Sequence, residues 1–285
     1  MAVAAEDAGF DGVMVSEHVA LGAGAGAGGR PANPREYALP GNQDPDTPWP
    51  DSLLLLAAVS GVTRRIRLIA SSIIAPLRHP VLLAKQLATL DLLSEGRLVV
   101  QPTVSWHRPE YEALGVRYED RGALLDEHLA AWRELWGASP ASFAGARYSF
   151  RDVHLEPKPT RPQGPPLWFG GETVHPPLLR RLARYGSGFN PLGRPSDDDL
   201  ERVRAALREA GRDPLELEMV GGTRGRFTSA TGVADLGEAL AGIPEQTARG
   251  FGTICIKPSQ FVDDASGVPA FCRDVVARFR EPAGA

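Results

Sequence analysis

Short, almost unbroken apolar runs alternate along this chain with longer segments of helical periodicity, and that alternation limits the folds open to it. The strand-like runs are residues 12–16, 66–74, 98–104, 166–169, 188–191, 215–220 and 253–257. The helical segments are residues 1–8, 51–62, 81–92, 121–136, 175–185, 197–210, 236–248 and 268–279. A run such as IRLIASSII, apolar on both faces, suits a strand covered on both sides. The pattern therefore reads as a parallel sheet wrapped by helices. At 285 residues the chain has the length of one α/β barrel, and a single domain over residues 1–285 is expected.

A closed (β/α)8 barrel needs eight strands, one more than the runs supply. The chain starts inside what reads as the first helix, MAVAAEDAGF, so the expectation is a first strand missing from the chain start. Either it lies upstream of Met1 or another segment fills its place. Three segments interrupt the repeat. Residues 21–48 include GAGAGAGG, have no periodicity, and are expected to form a mobile loop, either a lid over the site or an ordinary insertion. Residues 105–118 form a long connection. Residues 142–166 read as a hairpin turning at Gly145, followed by a proline-rich strap.

Composition removes several classes of function. A formal net charge of −4 argues against nucleic-acid binding. Two cysteines, Cys255 and Cys272, make no disulfide framework, and Cys255 reads as a buried thiol in an apolar strand. No apolar run is long enough to span a bilayer, and no basic segment with an apolar core opens the chain. The expectation is a cytoplasmic protein with no membrane partner. The six histidines lack the spacing of a zinc site, so no metal is expected. Phosphate-loop, HExxH and GxSxG motifs are absent from the sequence.

The strongest candidate for chemistry is His18, which ends the run FDGVMVSEHV. In βα-repeat proteins the C-terminal strand ends carry the reactive groups, and an imidazole there exchanges protons near neutral pH. The competing reading is a structural histidine bonded to backbone. His79, before Pro80, reads as structural or loop-forming. His128 reads as a surface residue of its helix, while Trp132 and Trp136 share a core face.

Four stretches in order are AEDAGFDGVMVSEHV, TRRIRLIASSIIAPLRHPVLLAKQLATLDLLSEGRL, EYEALGVRYEDRGALLDEHLAAWRELW and FRDVHLEPKPTRPQGPPLWFGG. Together they resemble the luciferase-like monooxygenase superfamily, and among its branches the oxidoreductases that use the deazaflavin coenzyme F420. The resemblance spans nearly the whole chain and implies a luciferase-like barrel. It implies that His18 relays a proton beside the ring of the cofactor. It implies a cofactor wall at Ser71, Ser72 and Ile73, with a non-prolyl cis peptide expected at Ser72–Ile73. It implies a phosphate loop at Gly170, Gly171 and Thr173, where glycines between strand and helix let backbone N–H groups reach an anion. Glu172 within it is unfavourable beside a phosphate unless it points away.

One stretch departs from the family pattern. Many relatives carry GVGxGW where this chain has Gln101 to Trp106, so the cofactor wall is reshaped. Trp106 and His107 read either as ring contacts or as packing under a loop. Some relatives place a catalytic carboxylate nearby; Glu110 is what this sequence offers, without a match in position. Arg224, Arg226 and Lys257 follow late strands; each alone reads as a solvated surface charge, while as a set they could meet a phosphate or an oligoglutamate tail.

The resemblance thus implies hydride transfer between F420 and a small organic substrate. The alternatives are an FMN-dependent monooxygenase of the same superfamily and a non-catalytic flavin-binding barrel. It also implies a homodimer, for which LLLLAAVS and VLLAKQLATLDLL are apolar enough.

Overall fold

The computed structural model describes residues 1–37 and 39–280. Helix α1 (Ala2–Ala8) leads into β1 (Gly12–Val15) through Gly9, whose φ of 98° is the left-handed geometry that ends a helix. Then follow α2 (Ser52–Val62), β2 (Arg67–Ile74), α3 (Pro80–Leu93), β3 (Leu98–Thr103), α4 (Arg108–Ala113) and α5 (Arg121–Gly137). An antiparallel hairpin, β4 (Ala141–Ala144) with β5 (Ser149–Val153), stands outside the repeat. The repeat resumes with β6 (Leu167–Phe169), α6 (Pro176–Tyr185), β7 (Gly186–Phe189), α7 (Asp197–Glu209) and β8 (Glu218–Gly222). It ends with α8 (Leu236–Leu240), α9 (Ile243–Ala248), β9 (Thr253–Cys255) and α10 (Val268–Arg280).

Seven strands form one parallel sheet in the order β1-β2-β3-β6-β7-β8-β9. It is curled, because residues from its two ends meet inside it. Arg67 of β2 makes two hydrogen bonds, 3.0 and 2.9 Å, to the Glu218 carboxylate of β8. Thr253 of β9 donates to the same carboxylate at 2.6 Å. Above this rung Ile69, Val99, Trp168 and Val220 pack together with Cys255. Above that, Ser71, Gln101 and Asn190 form a polar rung. The period of two along each strand produces these layers, as in a barrel interior. The edges β1 and β9 do not pair with each other, and α1 packs against α10 across that side.

Outside the sheet, α3 and α5 share a core in which Trp132 and Trp136 stack with ring centroids 5.3 Å apart. Their indole N–H groups donate to the Pro80 and Ala84 carbonyls. Each such buried ring contributes more than the roughly 1.5–3 kcal/mol of an aliphatic side chain. His128 is fully buried on the same helix, between the Leu124 and Arg78 carbonyls, which corrects its expected place on the surface. His79 caps α3, accepting from the Val81 N–H. No helix among the described residues is long and apolar enough to cross a membrane.

Residues 21–48, expected as a mobile loop, are tied down; Ala38 within them lies outside the described residues. The Asn33 amide donates to the Ser229 and Gly232 carbonyls, and Arg35 reaches Thr231 and Asp263. The segment thus runs from β1 across to the loops after β8 and β9, bridging at the mouth the strands that do not pair. The expected helix 236–248 is split into α8 and α9, since Gly242 and Pro244 interrupt its hydrogen bonding. The hairpin at 142–166 has the expected turn, with the Gly145 N–H bonded to the Tyr148 carbonyl.

Candidate active site at the mouth of the curled sheet

A cavity of about 1830 Å³ opens at the C-terminal ends of the strands and extends along the unpaired side. It is larger than the roughly 300–1,000 Å³ of common small-molecule sites. His18, Trp49, Ser71, Ser72, Gln101 and Trp106 line it.

His18 follows β1 and is nearly buried. Its Nδ1 lies 3.1 Å from Glu110 Oε1. That oxygen also accepts from the backbone N–H groups of Val19, at 2.8 Å, and Ala20, at 3.3 Å. Ser105 Oγ donates to the other oxygen at 3.2 Å. Burial works against the charge of Glu110, but the imidazole and the two backbone donors outweigh it and hold the carboxyl below its ordinary value. An ionised Glu110 fixes the proton of a neutral His18 on Nδ1 and leaves Nε2, which has no bonding partner among the described residues, as the basic nitrogen. The imidazole sits edge-on to Trp49, with centroids 5.0 Å apart, and to Trp106, at 6.0 Å. His107 is lowered from its ordinary pKa by burial, and its Nε2 accepts from the Gly22 N–H at 2.7 Å. It anchors the start of the 21–48 segment.

Glu17 holds the backbone beside His18. It is buried, forms a two-pronged pair with Arg78 at 2.6 and 2.9 Å, and accepts from the Ile74 N–H and the Ser52 hydroxyl. The ends of β1 and β2 and the start of α2 are thereby locked together.

The wall at β2 differs in detail from expectation. The cis peptide is Ser71–Ser72, not Ser72–Ile73. The register of β2 against β3 slips between Ser71 and Ile73, so Ser71 and Ser72 face the cavity while Ile73 is fully buried in the outer core. Ile73 is therefore removed from the expected wall. Ser71 Oγ donates to Gln101 Oε1 at 2.7 Å, and the Asn190 amide donates to the same oxygen at 2.8 Å.

Gly170, Gly171 and Thr173 lie at the same end as His18, but they do not line the cavity. The chain after β7 crosses them: the Asn190 N–H bonds Phe169 O at 2.9 Å and the Leu192 N–H bonds Gly171 O at 3.1 Å. A Cβ on Gly170 would come within 1.7 Å of the Asn190 carbonyl oxygen. That glycine is needed for the close approach of the chain after β7, whose bonds use the Phe169 and Gly171 carbonyls and not the N–H groups of the turn. Glu172 and Thr173 are exposed.

The residues on the cavity wall fit the ring of a flavin-type cofactor. The polar rung offers amide and hydroxyl groups to a heterocyclic edge. Trp49 Nε1 is buried without a partner among the described residues. Glu110, offered by the sequence as a carboxylate without a match in position, is the residue the structure pairs with His18, from the first turn of α4.

The family profile for luciferase-like monooxygenases matches residues 1–225. An uncharacterized protein of Mycobacterium tuberculosis is 33% identical over 208 residues, 70% of this chain and 71% of that protein. The pyrimidine monooxygenase RutA of Escherichia coli is 32% identical over 117 residues, 39% of this chain and 30% of its own length. Among solved structures, monooxygenase RslO1 from Streptomyces bottropensis superposes with a TM-score of 0.60 at 24% identity, over 86% of this chain and 68% of that one. The coenzyme F420-dependent tetrahydromethanopterin reductase of Methanopyrus kandleri gives 0.57 at 16% identity, over 77% of this chain and 59% of that one. With four fifths of its length inside the family profile and the same curled parallel sheet, this chain belongs to the luciferase-like monooxygenase family.

Proposed function

We propose that this protein is an oxidoreductase that moves a hydride between coenzyme F420 and a small organic substrate, with His18 carrying the proton. The observation that carries the reading is His18, bonded to the buried Glu110, on the wall of the cavity that Ser71, Ser72 and Gln101 also line. Bound there, the deazaflavin would supply two-electron hydride chemistry.

The chain's own part is the proton. An alcohol that loses a hydride from carbon must also lose a proton from oxygen. His18 Nε2 takes that proton, and Glu110 stabilises the imidazolium from the Nδ1 side. In the reverse direction the same nitrogen returns it to a carbonyl oxygen. Trp49 and Trp106 exclude water from one side of the imidazole, which strengthens its interaction with Glu110.

A second reading, an FMN-dependent monooxygenase, is favoured by the similarity to a pyrimidine monooxygenase and by the FMN-bound 3,6-diketocamphane monooxygenase among the structural neighbours. Titrating the purified protein with F420 and with FMN, while following absorbance and oxygen uptake, separates the two. Tight F420 binding without oxygen uptake supports the first reading. Oxygen uptake with reduced FMN supports the second. Ring binding without turnover of any substrate would leave a non-catalytic binder.

We also infer that two copies pair through α2 and α3, which pack side by side and expose Leu54, Val62, Leu82, Leu92 and Leu93.

A further inference from the structure

We propose that Lys257, Arg224, Thr223 and Tyr37 form an anion subsite at the rim of the cavity, which takes a phosphate or carboxylate of a molecule bound there. The four residues converge from three segments. Arg224 and Thr223 follow β8, Lys257 follows β9, and Tyr37 comes from the 21–48 segment. The Thr223 N–H bonds the Cys255 carbonyl at 2.9 Å, which ties the two strand ends together. Tyr37 closes over both cations: Lys257 Nζ and Arg224 Cζ each lie 5.6 Å from its ring centroid. Its hydroxyl donates to the Thr223 carbonyl.

What marks these two cations is that no carboxylate answers them. Of the other basic residues on the cavity wall, Arg67 pairs with Glu218, Arg194 with Glu245, Arg226 with Glu238 and Arg249 with Asp197. Lys257 has no ion pair or hydrogen bond among the described residues, and Arg224 bonds only the neutral Leu192 carbonyl. Burial lowers the pKa of the Lys257 ammonium, a cost that a bound anion would offset. Thr223 Oγ1 is buried and has no partner among the described residues. Two cations held about one ring, at strand ends tied together through Thr223, supply charge on one part of the rim. The turn at Gly170, the other candidate for this role, does not line this cavity.

The anion could belong to the cofactor or to a second molecule. The first case rests on the proposed cofactor reading; the second does not. Dissociation constants are measured by fluorescence on the full chain for two matched pairs: FMN against riboflavin, and F420 against its phosphate-free deazaflavin core. The same is done with Lys257→Met, Arg224→Met and, as a control, Arg226→Met, with circular dichroism confirming the fold of each. If the cofactor supplies the anion, the phosphorylated member of a pair binds at least about tenfold tighter. Lys257→Met and Arg224→Met then remove that preference and leave the phosphate-free member unchanged, while Arg226→Met keeps it. If a second molecule supplies it, the paired ligands bind alike. Inorganic phosphate or malonate then binds the riboflavin-loaded protein and loses affinity in the same two variants. Binding of inorganic phosphate through Lys257 without any ring binding would sink the cofactor reading and keep the subsite. The subsite is overturned if the phosphate preference, or the affinity for phosphate and malonate, is the same in wild type and both variants, or if no anion binds at all.

Discussion

His18 Nδ1 lies 3.1 Å from Glu110 Oε1, across 92 residues of sequence, and the same oxygen also takes the N–H groups of the two residues after His18. The carboxylate therefore orients the ring and the backbone that carries it. Glu110→Gln keeps the shape but gives up the charge that stabilises a protonated imidazole. The expected result is a fall in kcat of about 100-fold with KM little changed, consistent with the loss of general acid–base assistance. Glu110→Asp should recover part of kcat. Steady-state kinetics of the two variants, with thermal melts to exclude unfolding, check this. Equal losses of kcat in both, tracking stability, would show a merely structural carboxylate.

Gly170→Ala forces a Cβ against the Asn190 carbonyl, which is backbone and cannot swing away. The expected cost is about 1–3 kcal/mol in urea unfolding, in line with overpacking elsewhere. Gly171→Ala meets only the Thr173 carbonyl oxygen, at 3.8 Å, and should cost little. A stable Gly170→Ala protein with weakened FMN binding would instead mark this turn as the phosphate cradle.

The parallel sheet was legible because strands buried on both faces have few residues that alternate to polar; IRLIASSII is the clearest case. Edges were less so. Leu215 was read into a strand but sits in a short turn, 92% exposed, and β8 starts at Glu218, whose carboxylate is met by Arg67 and Thr253 from other strands. No local pattern announces such a partner. His18 was legible from its position at a strand end. Glu110 was named, but its bond to His18 was not foreseen, because 92 residues of sequence separate the two. At the turn after β6 the glycines were legible but their neighbour was not, since the close approach of Asn190 to Gly170 depends on the path of residues 190–192.

Acid sensitivity should pass through Glu6. Its carboxylate accepts from the backbone N–H groups of Arg65 at 2.6 Å, Ile66 at 2.9 Å and Arg64 at 2.9 Å, and these bonds lower its pKa from 4.5 to about 2. A pKa depressed in the folded state means the folded form binds the proton less readily than the unfolded one. The stabilisation is then complete above pH 4.5 and is lost as the pH falls towards about 2. Urea unfolding of wild type and Glu6→Gln at several pH values should show a gap in stability that is constant near neutrality and closes across that window. A gap that widens on acidification would contradict the assignment.

The exposed leucines of α2 and α3 provide the last test. Leu54 is 74% exposed, Leu82 54% and Leu93 57%, on adjacent helices whose other faces are buried against the sheet. Apolar side chains gathered on one face favour burial against a matching face, and a two-fold axis presents the same face twice. Size-exclusion chromatography with light scattering should therefore give twice the chain mass of 30.5 kDa for wild type. The double variant Leu54→Glu, Leu82→Glu should elute as a monomer with its fold intact. A wild type that is monomeric at all concentrations would remove the proposed pairing, leaving the His18 site unaffected since no residue of that site lies on this face.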